Sequence, residues 1–173
     1  MGLDLYNEKY FTASKVFQKN KTRIKYAFDL IKSYSPTSVL DVGCGMGPLV
    51  WKLNKNHIRA MGVDFALVLK EKFWSGPYFV CANAKALPFP NKSFDLIFSM
   101  DFFEHIEEKD IPLVLNEMKR VGHRIIAIVA EDITGKQLIG KARLYHCTHK
   151  TLDWWKNKLT WVDVYSAHTY AKT

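Results

Sequence analysis

Apolar residues recur along this chain in two alternating rhythms. Between residues 21 and 34, Ile24, Phe28 and Ile31, with Ala27 and Leu30, return every three or four positions. The segment therefore predicts an amphipathic helix with its basic side in water, ended at Ser35-Pro36. From Ser38 the rhythm becomes a compact apolar run, SVLDV, which breaks at Gly43 and resumes as a helix from Pro48 carrying Leu49, Val50 and Leu53. The alternation then repeats: a strand over 58–64, a helix over 65–73 closed by Ser75-Gly76-Pro77, and a short strand over 78–81. Further on come a strand over 93–99, a helix over 111–121 stopped at Gly122, and a strand over 124–130 apolar enough to be buried on both faces. A last helix started by Thr148 or Thr151 and an alternating strand over 160–168 complete the order. Five or six strands interleaved with helices predict an α/β fold with an open, mainly parallel sheet, right-handed crossovers and a ligand site at the C-terminal edge of the strands.

Composition narrows this picture. A chain of 173 residues with 48% hydrophobic and 24% charged residues suits a single globular domain. The longest apolar runs fall far short of the ~20 residues a membrane span needs, and no secretory leader precedes Tyr6. Cys44, Cys81 and Cys147 are odd in number and widely spaced, which points away from a disulfide framework and toward a reducing cytoplasm. The net charge of +8 is uneven. Residues 1–36 carry seven Lys/Arg against three Asp/Glu and residues 131–173 seven against four, while 37–130 is nearly neutral. Basic ends folded over one face would attract an anionic acceptor, and they keep nucleic acid open as a partner. Tyr6, Tyr10 and Phe11 are candidates for an aromatic flap over the site.

The candidate chemistry begins where the first strand ends. Gly43, Gly45 and Gly47 permit positive φ and a close backbone approach to a bound molecule, and Pro48 suits the first position of a helix. A nicotinamide fingerprint would place its third glycine where Pro48 stands. Asp41 precedes the first glycine by two residues, and D-V-G-C-G-M-G resembles the D/E-x-G-x-G-x-G signature of class I S-adenosylmethionine-dependent methyltransferases. Asp64 ends the second strand 17 residues beyond Gly47, close to the ~20 at which such folds place a ribose-binding carboxylate. The segment A-N-A-x-x-L-P-F-P-x-x-S-F-D-x-I resembles the corresponding stretch of the methyltransferase type 11 family, which includes the ubiquinone and menaquinone C-methyltransferases.

The resemblance implies a Rossmann-like sheet and S-adenosyl-L-methionine as cofactor. It implies that Asp41, Gly43, Gly45 and Gly47 seat the methionine end, Asp64 the ribose, and Asn83 with Ala84 the adenine, with Phe65 and Ser99 also at the cofactor. Asn83 departs from the family's Asp; its carbonyl oxygen accepts the same hydrogen bond without charge. The segment M-D-F-F-E-H-I resembles the family's x-x-x-x-E-H element and makes His105 a candidate general base, with Asp101 a weaker acid/base candidate and His149 a candidate at the acceptor pocket. His146 and His149 could suggest metal ligands, but no acid stands at a supporting spacing and Cys147 is the lone thiol near them, so no metal is expected.

The domain divides into an N-terminal flap and helix (1–36), a cofactor-binding core (37–130) and a substrate-side tail (131–173). The tail is short for the antiparallel strand that the family inserts between its fifth and sixth strands, so the sheet is expected to lack it. That would expose an edge that a homodimer could cover. The function these features imply is methyl transfer to a small-molecule, lipid or sugar-type acceptor. A nucleic-acid methyltransferase and a non-catalytic S-adenosylmethionine-binding partner subunit are the alternatives.

Overall fold

The computed structural model describes residues 6–13, 21–131 and 146–168. Helix α1 (Glu8–Ala13) and helix α2 (Lys21–Ser33) lead into β1 (Ser38–Val42), α3 (Pro48–Lys55) and β2 (Arg59–Asp64). There follow α4 (Leu67–Lys72), β3 (Phe79–Cys81), β4 (Phe94–Met100), a 3-10 turn (Phe103–His105), α5 (Ile111–Val121) and β5 (Gly122–Val129). The last described elements are α6 (Leu152–Lys158) and β6 (Asp163–Ser166). The six described strands lie in the order β3-β2-β1-β4-β5-β6, and every pairing is parallel. The strand order reverses between β1 and β4, and the crevice at that reversal is where ligands of open α/β sheets bind.

Period-two alternation splits the core. Leu40, Val42, Ile97, Ile125 and Ala127 join α5 and Trp155 of α6 on one face, while Val39, Leu96, Phe98, Ile126 and Ile128 join α2 and α3 on the other. Two polar devices fix the layers. Asp95 Oδ2 accepts from the backbone N–H of Thr37 (2.8 Å) and Ser38 (3.1 Å), and Ser38 Oγ accepts from Asp95 N, pinning β1 to β4. The Asn54 side chain donates to the carbonyls of Val50 and Ala60 and accepts from Ala60 N, pinning α3 to β2.

Three elements depart from the pattern by two residues or more. Helix α5 passes into β5 with no loop, because Gly122 both ends the helix and pairs with Phe94, so the strand starts two residues earlier than its apolar run. A Cβ at Gly122 would stand 2.2 Å from Ile97 Cγ1, and this close approach is what the glycine permits. Helix α4 starts at Leu67, beyond Phe65. The last strand contracts to Asp163–Ser166, since Trp161 takes a left-handed φ of 73° and stands 87% exposed just before it. Strand β6 lies directly against β5, Ile126 opposite Asp163, so no antiparallel strand separates them among the described residues. The hydroxyls of Tyr34 and Tyr165, 2.8 Å apart, tie β6 back to the end of α2.

Candidate functional site

Val42 hands the chain to the glycine turn at the C-terminal edge of β1. Gly43, Gly45 and Gly47 take φ of 78°, 52° and 79°, all left-handed, and Gly47 caps α3 with Pro48 in its first turn. What the absent Cβ atoms make room for is the chain's own aromatic rings. A Cβ at Gly43 would lie 2.5 Å from Phe102 Cδ2, and one at Gly47 would lie 2.2 Å from Phe79 Cε1. The Phe79 ring stacks on Trp74, whose indole N–H donates to Gly45 O at 2.9 Å. Of this packing the sequence shows only the glycines.

Two carboxylates bracket the turn. Asp64 Oδ2 accepts from Gly45 N and its Oδ1 from Ala66 N, both at 3.1 Å, so the second strand's terminal acid holds the turn and starts α4. Burial pushes the Asp64 carboxyl up, and the N–H groups of Ala66, Gly45 and Phe65 oppose that shift. Asp41 is 5% exposed, and burial together with the Asp64 charge pushes its carboxyl up to about 7. Ser99 Oγ, near the end of β4, is buried without a hydrogen-bond partner among the described residues.

Asn83 is exposed, and its Oδ1 accepts from Lys85 N at 2.9 Å in a local turn; Ala84 beside it is partly buried against the core. The loop that follows is clamped by a residue the sequence reading missed. Arg120 of α5 donates through Nη2 to Leu87 O and through Nη1 to Phe89 O, each 2.7 Å, and pairs with Glu117, whose Oε2 in turn accepts from Leu87 N. The i,i+3 placement of Glu117 and Arg120 on a helix is the one sequence signal for this clamp.

Helix α1 packs on α4 and covers the neighbouring edge. Tyr6 and Phe11 are buried with Ala66 and Leu69, and Tyr6 meets Phe65 edge-on with ring centroids 5.1 Å apart. The Tyr6 hydroxyl lies 3.1 Å from His105 Nδ1. Phe65 itself is 39% exposed. Asp101 follows β4 with a left-handed φ of 50° and forms an ion pair with Arg23 of α2. That pairing ties α2 to the end of β4.

His105, His146 and His149 come together. The His105 and His146 rings meet edge-on at 4.7 Å, and His149 stacks on His146 at 5.5 Å. Burial and the neighbouring His105 and His149 push His146 down to about 4. Glu104 is fully buried beside them. Burial pushes its carboxyl up to about 7 against the pull of the Glu104 and Ala130 N–H groups and of Arg23. Those N–H groups lower it without reaching hydrogen-bond geometry, since neither carboxylate oxygen has a partner among the described residues. The expectation that no acid supports His146 is corrected here: Glu104 and His105 each offer it a ligand atom within 4.8 Å. The acid lies far off in sequence and reaches His146 only through the fold.

Comparison with known proteins matches residues 40–124 to the model of the methyltransferase domain family. Residues 40–124 are a methyltransferase domain of type 11. An uncharacterized protein of Methanocaldococcus jannaschii is 33% identical over 70% of this chain and 47% of its own length. A malonyl-[acyl-carrier protein] O-methyltransferase of Halorhodospira halophila is 33% identical over 50% of this chain and 31% of its own. The structure of the plantazolicin methyltransferase in complex with S-adenosylhomocysteine shares the fold with a TM-score of 0.65 at 19% identity, covering 88% of this chain and 68% of that one. The chain spans about half the length of two archaeal relatives, 48% and 47%, and about a third or less of the named methyltransferases it matches. The matched span runs from within β1 to the start of β5 and includes the glycine turn, Asp64, Asn83 and Glu104. No helix among the described residues is long and apolar enough to cross a membrane.

Proposed function

We propose that this chain is an S-adenosylmethionine-dependent methyltransferase that serves a small-molecule acceptor at the C-terminal edge of β1 and β4. The observation that carries this reading is the acid pair at the glycine turn. Asp41 and Asp64 are both pushed up by burial, and the charge of Asp64 raises Asp41 further. Such a pair favours a cationic ligand that relieves both carboxylates. S-adenosylmethionine, when bound, would supply a sulfonium methyl to which an acceptor lone pair bonds as the carbon–sulfur bond breaks, its electrons leaving with the thioether. A sulfonium flanked by an ammonium is the kind of cation this pair suits, and a buried serine hydroxyl in want of a partner stands close by at the end of β4.

In this reading Asp41 and the backbone at Gly43, Gly45 and Gly47 seat the methionine end. Asp64 keeps its turn contacts and takes the ribose hydroxyls on its remaining lone pairs. Asn83 and Ala84 receive the adenine on the loop that Arg120 holds, with Phe65 and Ser99 flanking the same ligand. The main contribution of the protein is alignment, which can supply roughly 7–11 kcal/mol. A base is needed only for a hydroxyl or carbon-acid acceptor. His105, oriented by the Tyr6 hydroxyl, serves then, with His149 behind it. Titration calorimetry with S-adenosylmethionine and S-adenosylhomocysteine tests the reading. Stoichiometric binding of both supports it; failure of both to bind, with NAD or NADP binding instead, overturns it.

A further inference from the structure

The cluster of Glu104, His105 and His146 has a construction that methyl transfer does not require. It joins two segments far apart in the chain. Glu104 and His105 sit in the 3-10 turn after β4, and Glu104 O accepts from the N–H groups of Cys147 (2.7 Å) and Thr148 (3.1 Å). Thr148 Oγ1 donates to Ile106 O at 2.7 Å, and Cys147 Sγ lies 3.4 Å from His105 O. These bonds hold the backbone on either side of the three side chains, which makes the cluster a supported arrangement and not a chance meeting of surface groups. At its centre both oxygens of the Glu104 carboxylate are buried with no hydrogen-bond partner among the described residues. A buried carboxylate in that condition is costly unless a proton or a cation satisfies it.

We propose that Glu104, His105 and His146 bind a first-row divalent cation, zinc foremost, with a coordination position left for water or an exogenous ligand. Two imidazoles and one carboxylate with an open position are a donor set that zinc accepts in catalytic sites, and nitrogen donors disfavour magnesium and calcium. One ligand atom of each residue lies within 4.8 Å of the others. Metal–ligand distances of about 2.0–2.2 Å put tetrahedral donors roughly 3.3 Å apart, a contraction that side-chain rotation can provide. Ligation through His105 Nε2 leaves Nδ1–H to donate to the Tyr6 hydroxyl, 3.1 Å away, the outer-shell bond that orients a ligating imidazole. His149 stacks on His146, and its Nε2 is buried without a partner among the described residues, a further unsatisfied donor or acceptor beside the cluster. The inference rests on the cluster alone; with a metal bound His105 is a ligand, and the base that a hydroxyl or carbon-acid acceptor needs is then His149 and not His105.

The test uses the full chain stripped with chelator and titrated with zinc and with cobalt(II). The expected result is one equivalent of zinc bound, cobalt absorption bands of a low-coordinate nitrogen–oxygen site, and a rise in melting temperature with metal. His146→Ala and Glu104→Gln should each weaken zinc binding by ~10–100-fold and abolish the metal-dependent rise, while His123→Ala on the exposed surface should change neither. Glu104→Gln keeps the shape of the buried side chain, and the metal-free melting curve of each variant separates lost binding from lost folding. Absence of stoichiometric binding, or binding that survives both variants, overturns the proposal. S-adenosylhomocysteine titration of the metal-free chain separates this outcome from failure of the cofactor reading.

Discussion

Asp41→Asn turns the electrostatics of the glycine turn into a stability measurement. The Asp41 carboxyl is pushed from its ordinary value near 3.8 up to about 7, first by burial and then by the charge of Asp64. A folded-state pKa above the unfolded one means that the native state holds the extra proton between these values. Stability therefore falls as pH rises through that window and levels off above it. At 1.36 kcal/mol per unit, raising the pH from 5 to 8 removes about 2–3 kcal/mol of stability through this one group. Asparagine cannot ionise, so the variant should lack this component while keeping the slopes due to Glu104 and Asp64. Urea unfolding followed by tryptophan fluorescence at several pH values compares the two proteins. The wild type should lose about 2–3 kcal/mol more than Asp41→Asn between pH 5 and 8. The absolute offset caused by the buried amide cancels in that difference. Parallel stability–pH curves would refute the reasoning, because they would mean that Asp41 is ionised in the native state across the whole range.

Three other outcomes follow from the site. Arg120→Ala removes the donors to Leu87 O and Phe89 O and leaves Glu117 without its cation, and should lower the urea midpoint together with weaker S-adenosylhomocysteine binding through the loosened loop. Gly47→Ala forces a Cβ into Phe79 at a φ of 79°, and should lower stability by at least about 2 kcal/mol, visible as a lower melting temperature. Asn83→Asp keeps the acceptor for Lys85 N and adds charge for an adenine amino group, so calorimetry should show S-adenosylhomocysteine binding about fivefold tighter; unchanged or weaker binding would count against adenine at this loop.

Where the chain carries strong punctuation, the sequence reading and the structure coincide. Helix α5 has the bounds its pattern predicts, Ile111–Val121, because Pro112 opens it and Gly122 closes it. Thr151 caps α6 with its side chain accepting from Trp154 N, as its residue type foretells. The left-handed turn at Gly43, Gly45 and Gly47 was likewise legible, since only backbone geometry was at stake. Long-range partners were not. Nothing in spacing reveals that Phe102 and Phe79 fill the room beside two of these glycines, or that Arg23 reaches Asp101. The meeting of Glu104 with His146 was hidden for the same reason: ligand spacing finds donors on one helix or loop, while backbone bonds from Cys147 and Thr148 to Glu104 O hold the tail against the turn.

The strand order also has a consequence during synthesis. β1 pairs with β2 across a short helix, but its other flank waits for β4, with Val39 opposite Leu96, 57 residues later. At ribosomal rates of ~5–20 residues per second, this leaves one side of the most buried strand uncovered for roughly 3–11 seconds. Throughout that interval the nascent chain presents Val39 and Leu40 beside unpaired backbone, and any delay at the Pro88-Phe89-Pro90 stretch prolongs it. Until residue 100 leaves the ribosome, that flank of β1 stays open to wrong pairing.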